Sequence, residues 1–523
     1  MKKKIKKSMS ILCLTFFSIL FFLGCSKEQP QAASVAIKQP EQPQETGPKE
    51  ADIVIAHFND FHAAFRSFGK TDEENLPQWS GAAVMGGYIN KLRRDNTNSL
   101  VVFAGDMFQK SPLDKLSKGE KIIDIFNLFK LDVATLGNHE FDFGRERFDE
   151  LKSKIKHPLV SANLFDRDGG KPYVEQSKII KTKNDVKVLF IGLFPVSGKK
   201  YMEKDHNLKI ENPQKIVKDI AAKFEKDVDL TVVLSHLGYE DDIELSKKLS
   251  GAEVDLIIGG HSHTYIDKID KELPIPVVQA NFNGTYLGEI DLTVDRYKNE
   301  IKKIDYKLQP TMADGIDKDS EIDEIVKGEL NKIADDLKPI AKLEKPLGQE
   351  SRTEETALGD FSVDALVDIF KADLAFTSSK SIRNSISGPD VCVNDIYEAF
   401  PFDDNKIFET YVTGENIIKM LEYYMNKRKD RFVYIPYTLS YTYSKSDDDK
   451  IEISDIKFKN KELKKNKKYR VILDERTVEE FEKFYNAENS KEIGDSFAGE
   501  YIKYLKKIKK YNPKPSGRVK NAA

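Results

Sequence analysis

The sequence predicts an α/β protein of more than one domain, and three observations carry that expectation. The chain has 523 residues, too long for one core at roughly 100–200 residues per domain. Up to about Tyr306, short β-branched runs alternate with amphipathic segments of helix length, the pattern of a layered α/β domain. All eight histidines lie between His57 and His263 and none falls in the last 260 residues, so histidine chemistry belongs to the first domain.

Composition narrows the classes further. Hydrophobic residues make up 40% and charged residues 32%, enough apolar material for sizeable cores, which excludes a wholly unfolded chain. Lys+Arg 83 against Asp+Glu 86 leaves a formal net charge of -3, so a nucleic acid polymer is not an expected partner. The three cysteines, Cys13, Cys25 and Cys392, are too few for a disulfide framework or a cysteine zinc site.

Taken in order, the chain opens with Met-Lys-Lys-Lys-Ile-Lys-Lys and an apolar run from Ile11 to Leu23, the layout of an export signal and too short for a comfortable membrane span. The run ends in Leu23-Gly24-Cys25-Ser26, which resembles a bacterial lipoprotein processing site with Cys25 as the lipid-bearing residue. Residues 1–25 are thus expected to be a signal peptide, and 26–51, with four prolines and no periodicity, a flexible tether. The expected location is the extracytoplasmic face of a bacterial membrane, held by a lipid anchor. Strands are expected at Ile53–Phe58, Leu100–Ala104, Val133–Leu136, Val188–Ile191, Leu230–Leu234, Leu256–Ile258 and Val277–Gln279, with helices such as Lys121–Phe129 and Lys215–Phe224 between them, so 52–310 reads as one domain. A linker at 311–345 carries a connecting helix over Asp319–Lys338. The second domain, 346–523, begins with a helix over Ala357–Lys371, continues into tyrosine-rich strand sequence including Phe432–Tyr443, and ends in a lysine-rich tail. Tyr501, Leu505 and Ile508 fall at helical spacing in that tail, so its lysines are the solvated face of an amphipathic helix and no protein partner is assigned. Cys392 reads as a buried small apolar residue.

Five histidines and one aspartate follow expected strands directly, in HFNDFHAAF, VVFAGDMFQ, TLGNHEFDFG, VVLSHLGYE and IIGGHSHTY. The carboxyl ends of strands in an α/β sheet converge on the ligand crevice. Five segments therefore deliver Asp60, His62, Asp106, Asn138, His139, His236, His261 and His263 to one edge. Residues two apart in extended chain point to the same side, so Asp60 and His62 can share an ion, and so can His261 and His263, whose preceding glycines let the backbone approach closely. Imidazole, carboxylate and amide oxygen together suit zinc, manganese, iron or cobalt, whereas calcium and magnesium prefer oxygen alone. Seven such ligands exceed one tetrahedral ion and fit two metals about 3.5–4 Å apart bridged by one carboxylate, the arrangement that generates a hydroxide and clamps a phosphoryl group. Two divalent ions, two aspartates and one hydroxide leave one net positive charge, a field that attracts a phosphate ester.

The order DxH, GD, GNHE, H, GHSH resembles the calcineurin-like metallophosphoesterases. The FD after GNHE, the Ser161–Leu164 segment and the C-terminal half resemble bacterial 5'-nucleotidases of the UDP-sugar hydrolase type. The resemblance implies a four-layer α/β/β/α metallophosphoesterase domain followed by an α+β substrate-binding domain. It implies one metal held by Asp60, His62 and His263, a second held by Asn138, His236 and His261, and Asp106 bridging them. It further implies that His139, oriented by Asp142, stabilises the transferring phosphoryl group or the leaving oxygen, as phosphoryl transfer requires. In the second domain it places Arg383 on the phosphate and Phe432 against the base.

Several departures from the family fall on specificity positions. Lys110 stands where a glycine is usual, and Ser378, Ser379, Lys380 and Ser381 replace an asparagine followed by glycines. The Gly-Gly-Asp loop that normally carries the second base-stacking ring is missing, with Phe484 and Tyr485 as the nearest candidates. Phosphate recognition is therefore expected to outlast base recognition. The activity implied is an exported two-metal phosphohydrolase acting on 5'-nucleotides or related esters. Its alternatives are a nucleotide-sugar, dinucleotide or 2',3'-cyclic nucleotide hydrolase and, from a different class, an inactive surface-binding lipoprotein.

Overall fold

The computed structural model describes residues 49–67, 80–109, 111–349, 351–402, 405–427, 431–446, 450–484 and 490–522. The expected signal peptide, most of the tether, Cys25, Lys110 and Tyr485 lie outside the described residues. No helix among the described residues is long and apolar enough to cross a membrane.

Two sheets face each other in the first half of the chain. In the first sheet the strand Glu50–Phe58 is central, running parallel to Ser99–Phe103, which is followed in turn by the parallel strands Val133–Thr135 and Leu159–Val160. On its other side Glu50–Phe58 pairs antiparallel with Tyr286–Asp295, itself paired with Glu300–Pro310. The second sheet places Lys187–Leu193, Leu230–Ser235, Leu256–Ile258 and Val277–Val278 side by side in parallel, with Ser177–Lys181 as an antiparallel edge.

Alternation along the strands builds the layers. Ile53 and Ile55 project into the core between the sheets, where they meet Val102, Val188, Phe190, Val232 and Leu234. Val54, Ala56 and Phe58 face the other way, into a core shared with the helices Ala82–Asp95 and Glu120–Phe129. Leu189, Ile191 and Leu193 do the same on the outer face of the second sheet, against the helices Pro213–Phe224 and Tyr239–Lys248. The order is helix, sheet, sheet, helix, the four-layer architecture expected. Each fully buried side chain of this size contributes about 1.5–3 kcal/mol, and a one-residue slip would exchange the two faces, so register is strongly fixed.

The connecting helix is Ser320–Lys332, capped by Asp319, whose carboxylate accepts the N–H groups of Glu321 and Ile322. It does not bridge open space: Ile322 and Val326 are buried in the first domain's helical core. The strand Pro339–Leu343, in the stretch expected to be linker, already pairs with Asp390–Cys392 and Lys510–Tyr511.

The second domain sets the helix Ala357–Phe370 against a five-stranded sheet containing Leu374–Ser378, Ile407–Thr413 and Lys468–Asp474. Leu439–Lys445 and Ile451–Phe458 belong to a separate four-stranded sheet. The tail forms the amphipathic helix Phe497–Ile508, with Tyr501 and Leu505 in the core, and Cys392 is a buried free thiol. Arg66 joins the two domains, its guanidinium pairing with Asp395 at 2.5 Å and Glu398 at 2.9 Å.

Candidate metal centre and substrate cleft

The parallel strands deliver their functional residues at their carboxyl ends. Asp60 and His62 follow Glu50–Phe58, Asp106 follows Ser99–Phe103, and Asn138 and His139 follow Val133–Thr135. From the second sheet His236 follows Leu230–Ser235, and His261 and His263 follow Leu256–Ile258. Five of these residues have left-handed backbones: Asp60 (φ 49°), His62 (φ 51°), Asp106 (φ 66°), His261 (φ 75°) and His263 (φ 59°). Such a conformation costs about 1–3 kcal/mol per non-glycine residue and persists only where the surroundings over-determine it. Glycines make the necessary room. A Cβ at Gly137 would lie 2.1 Å from Asp106 Oδ1, and one at Gly260 would lie 2.5 Å from the Ala104 carbonyl oxygen.

Three overlapping groups of candidate ligands result: Asp60, His62 and His263; His62, Asp106 and His139; and Asp106, His236 and His261. In the first, His62 Nε2 and His263 Nε2 are 2.9 Å apart, and Asp60 Oδ1 lies 3.2 Å from His263 Nε2 and 3.6 Å from His62 Nε2. Donors about 2.1 Å from a tetrahedral ion stand about 3.4 Å from one another, so the triangle has the size of one face of a coordination shell. Asp60 and His62 fall in one group and His261 and His263 in different groups; all four have left-handed backbones, so the same-side geometry of extended chain applies to neither pair.

The remaining atoms of these side chains are tied down. Asp60 Oδ2 accepts from Asn59 Nδ2 at 2.7 Å and from the His261 N–H at 2.9 Å. Asn59 is itself fixed to Asn281 O and the Ala280 N–H. His62 Nδ1 faces the Phe108 carbonyl at 3.2 Å and His236 Nδ1 the Ala104 carbonyl at 2.6 Å, which turns each Nε2 toward the centre. Asp60 Oδ1, Asn138 Oδ1 and His236 Nε2 are buried without a hydrogen-bond partner among the described residues. His236 Nε2 lies 3.0 Å from Asp106 Oδ2 but is misaligned for a hydrogen bond. Buried polar atoms are rarely left unsatisfied, and bare oxygen and imidazole nitrogen are the donor set of a borderline divalent cation. The residues present therefore fit metal.

Electrostatics keeps His62, His261 and His263 neutral, whereas at His236 burial opposes the charge but Asp106 outweighs it and raises the imidazole to about 10. Burial, then the neighbouring Arg352 and Arg383, hold His263 well below the usual imidazole range. Burial and then His236 push His261 down to about 3. Neutral imidazoles are the form that ligates. For His139 burial opposes the charge, but Asp142 and Asp106 outweigh it and raise the imidazole above its ordinary value, with His139 Nδ1 2.9 Å from Asp142 Oδ2. The His139 N–H also donates to Asp106 Oδ1 at 2.9 Å.

Beside His263 a cleft of about 470 Å³ separates the two domains, lined by Phe282, Arg352 and Arg383 among others. Arg383 is fixed by its Nη1, which donates to the Lys380 carbonyl at 2.6 Å, and its guanidinium lies over the Phe402 ring at 4.7 Å. Phe432 does not line this cleft; it packs edge-on against Tyr434, at 5.3 Å, and borders a neighbouring cavity. Residues Glu475–Phe481 form a helix capped by Asp474, and Phe484 packs against Tyr423.

Three contributors escaped the sequence reading. Asn59 braces Asp60. Glu140 is buried and accepts the N–H groups of Gly137, Asp106 and Met107, which locks the two turns together. Arg352 places Nη2 2.8 Å from His263 Nδ1. Glu140 had a visible signal, a carboxylate inside GNHE, whereas Arg352 sits in ESRTEE with nothing to mark it.

Fold and site together define a metal-dependent phosphoester hydrolase. Residues 53–265 match the calcineurin-like phosphoesterase family model and residues 339–484 match the 5'-nucleotidase C-terminal domain model. It is similar to a 5'-nucleotidase-related protein of Glossina morsitans morsitans, 26% identical over 540 aligned positions that cover 89% of this chain and 94% of the relative. Protein UshA of Yersinia enterocolitica is 26% identical over 486 positions, covering 81% of this chain and 84% of the relative. In fold, the chain is similar to the crystal structure of a 5'-nucleotidase precursor from Thermus thermophilus, with TM-score 0.77 and 23% identity over 90% of this chain and 99% of that one.

Proposed function

We propose that this protein is an exported, lipid-anchored two-metal phosphohydrolase that releases phosphate from 5'-nucleotides or related nucleotide esters. The observation that carries the reading is the buried cluster in which Asp60 Oδ1, Asn138 Oδ1 and His236 Nε2 have no hydrogen-bond partner among the described residues. Asp60, His62 and His263 would hold one ion, Asn138, His236 and His261 the other, and Asp106, which appears in two of the three ligand groups, would join them. Divalent ions bound there supply Lewis-acid stabilisation of the charge that develops on a transferring phosphoryl group.

The chain's own residues complete the site. Arg352 and Arg383 stand on the second-domain side of the cleft, where two guanidiniums suit the peripheral oxygens of a phosphate. His139, aligned by Asp142, is placed to donate to the phosphoryl or leaving oxygen as charge builds there. The lipid anchor rests on Cys25 and the apolar run before it. A phosphate-release screen over nucleoside monophosphates, nucleotide sugars, dinucleotides, cyclic nucleotides and simple phosphomonoesters, with several divalent metals and with chelator, tests the reading. Metal-dependent release from nucleotides is expected. Absence of release from every ester with every metal would overturn it in favour of a binding lipoprotein.

A further inference from the structure

The turn that carries His261 and His263 is gripped from behind by a side chain that the phosphoryl chemistry does not touch. Gln279 is fully buried and directly follows the strand Val277–Val278. Its Oε1 accepts the Thr264 N–H and also the Ser262 hydroxyl, the latter at 3.0 Å, and its Nε2 donates to the Gly260 carbonyl at 3.0 Å. The contacts fall on residues 260, 262 and 264, which alternate with the two histidines. The amide fits only one way round, because its oxygen must face the N–H and its nitrogen the carbonyl. A glutamate would lack the donor for Gly260, and a methionine of similar size would offer neither a donor nor a strong acceptor. A Cβ at Gly259 would lie 3.1 Å from Gln279 Nε2, so that glycine leaves the amide its room.

The backbone that follows Gln279 braces a second ligand turn. The Ala280 N–H donates to Asn59 Oδ1 at 2.9 Å and the Asn281 carbonyl accepts from Asn59 Nδ2 at 2.6 Å, and the same Nδ2 reaches Asp60 Oδ2. The Asn281 N–H donates to the Thr264 carbonyl at 3.0 Å and the Asn283 N–H to the Asp60 carbonyl at 2.7 Å. Residues 279–283 thus hold Asp60, His261 and His263, all three in left-handed conformations that persist only where the surroundings impose them. Side-chain bonds from Gln279 fix the histidine turn, and backbone bonds fix the aspartate.

We propose that Gln279 is a positioning residue shared by both metal ions, and that its carboxamide couples their affinities. The proposal rests on the two-metal reading, in which His263 serves one ion and His261 the other. Because both imidazoles leave one gripped turn, releasing Gly260, Ser262 and Thr264 frees both from their ions at once. Outer partners of metal ligands are worth about ten- to a hundredfold in metal affinity. Asp60 keeps its place when Gln279 is replaced, since the groups that brace it are backbone groups and Asn59, so the loss is partial at both ions.

Zinc is the probe. The full chain is stripped with chelator and titrated with zinc against a chromophoric competitor, which gives a Kd for each ion. Gln279→Met should raise both values about ten- to a hundredfold. Ser262→Ala removes one of the three bonds and should raise both severalfold, and it carries the test if the methionine variant does not fold. Thr182 supplies the control for damage to the fold alone. It is buried in the hairpin that enters Lys187–Leu193, at the end of the sheet away from the metal centre, and its hydroxyl exchanges hydrogen bonds of 3.2 and 3.0 Å with Val186. Thr182→Val should lower Tm and leave both zinc constants unchanged. Unchanged zinc affinity in the Gln279 and Ser262 variants, weakening of one ion only, equal weakening in Thr182→Val, or a single zinc in the unmodified chain would each overturn the proposal. Phosphate release is read separately: the expected zinc constants in a chain that hydrolyses no ester would keep the role of Gln279 and discard the phosphohydrolase reading.

Discussion

In the first domain side chains of the metal centre are braced on one side by buried hydrogen bonds. Asp60 gives one carboxylate oxygen to Asn59 and His261 and keeps the other bare, and His236 gives Nδ1 to a carbonyl and keeps Nε2 bare. In the second domain the groups facing the cleft sit on turns. Arg383 follows the one-turn segment Ser379–Ser381, and Arg352 stands ahead of the helix Ala357–Phe370. Strand ends braced by buried hydrogen bonds fix the chemistry, and turns on the opposing domain leave the choice of leaving group open to change. The difference teaches that reaction class and substrate class are separable readings of this molecule.

The sharpest attack on the first-domain side is at His139. As a donor to the transition state that does not coordinate metal, His139→Ala should lower kcat by about two or more powers of ten with metal content unchanged. Because His139 also belongs to one of the ligand groups, loss of metal in that variant would make it a ligand instead.

On the second-domain side the two halves of recognition should come apart. Arg352→Ala should reduce kcat/KM by about tenfold or more for every phosphate ester alike, since it removes a charged contact common to all of them. Phe432→Ala should raise KM for nucleotides severalfold and barely affect a small phosphomonoester with no base to stack. Equal losses on both substrates would make Phe432 structural only.

A smaller effect concerns how the second domain is held together. Asp360 is buried, accepts from Ser516 at 2.8 Å and lies 3.4 Å from Arg518, with Glu355 and Asp364 drawn to the same arginine and Lys514 nearby. Burial, against the pull of Arg518, raises its carboxyl above the ordinary range. The folded state then keeps a proton that the unfolded state has lost, so this group's contribution to stability falls as pH rises from the usual carboxylate range toward its folded value. Asp360→Asn should flatten the decline of Tm between about pH 5 and pH 8. An unchanged slope would show that Asp360 is ionised throughout.

What the sequence revealed follows the same division. Ligands at strand ends were legible because each follows a β-branched run and sits in a short motif, and the layers were legible because alternating residues such as Val188 and Leu189 declare their faces. Left-handed turns were not: Asp60, His62, His261 and His263 all sit in them, so the argument from extended chain applied to neither pair. Arg352 was invisible because its role arises from the packing of one domain against the other.

The most direct test of the central claim is elemental analysis of the purified full chain beside its Asp106→Ala variant. Two divalent ions per chain in the unmodified protein, falling toward one or none in the variant as activity disappears, is the result expected of a carboxylate shared by both sites. Undiminished metal in the Asp106→Ala protein would contradict it.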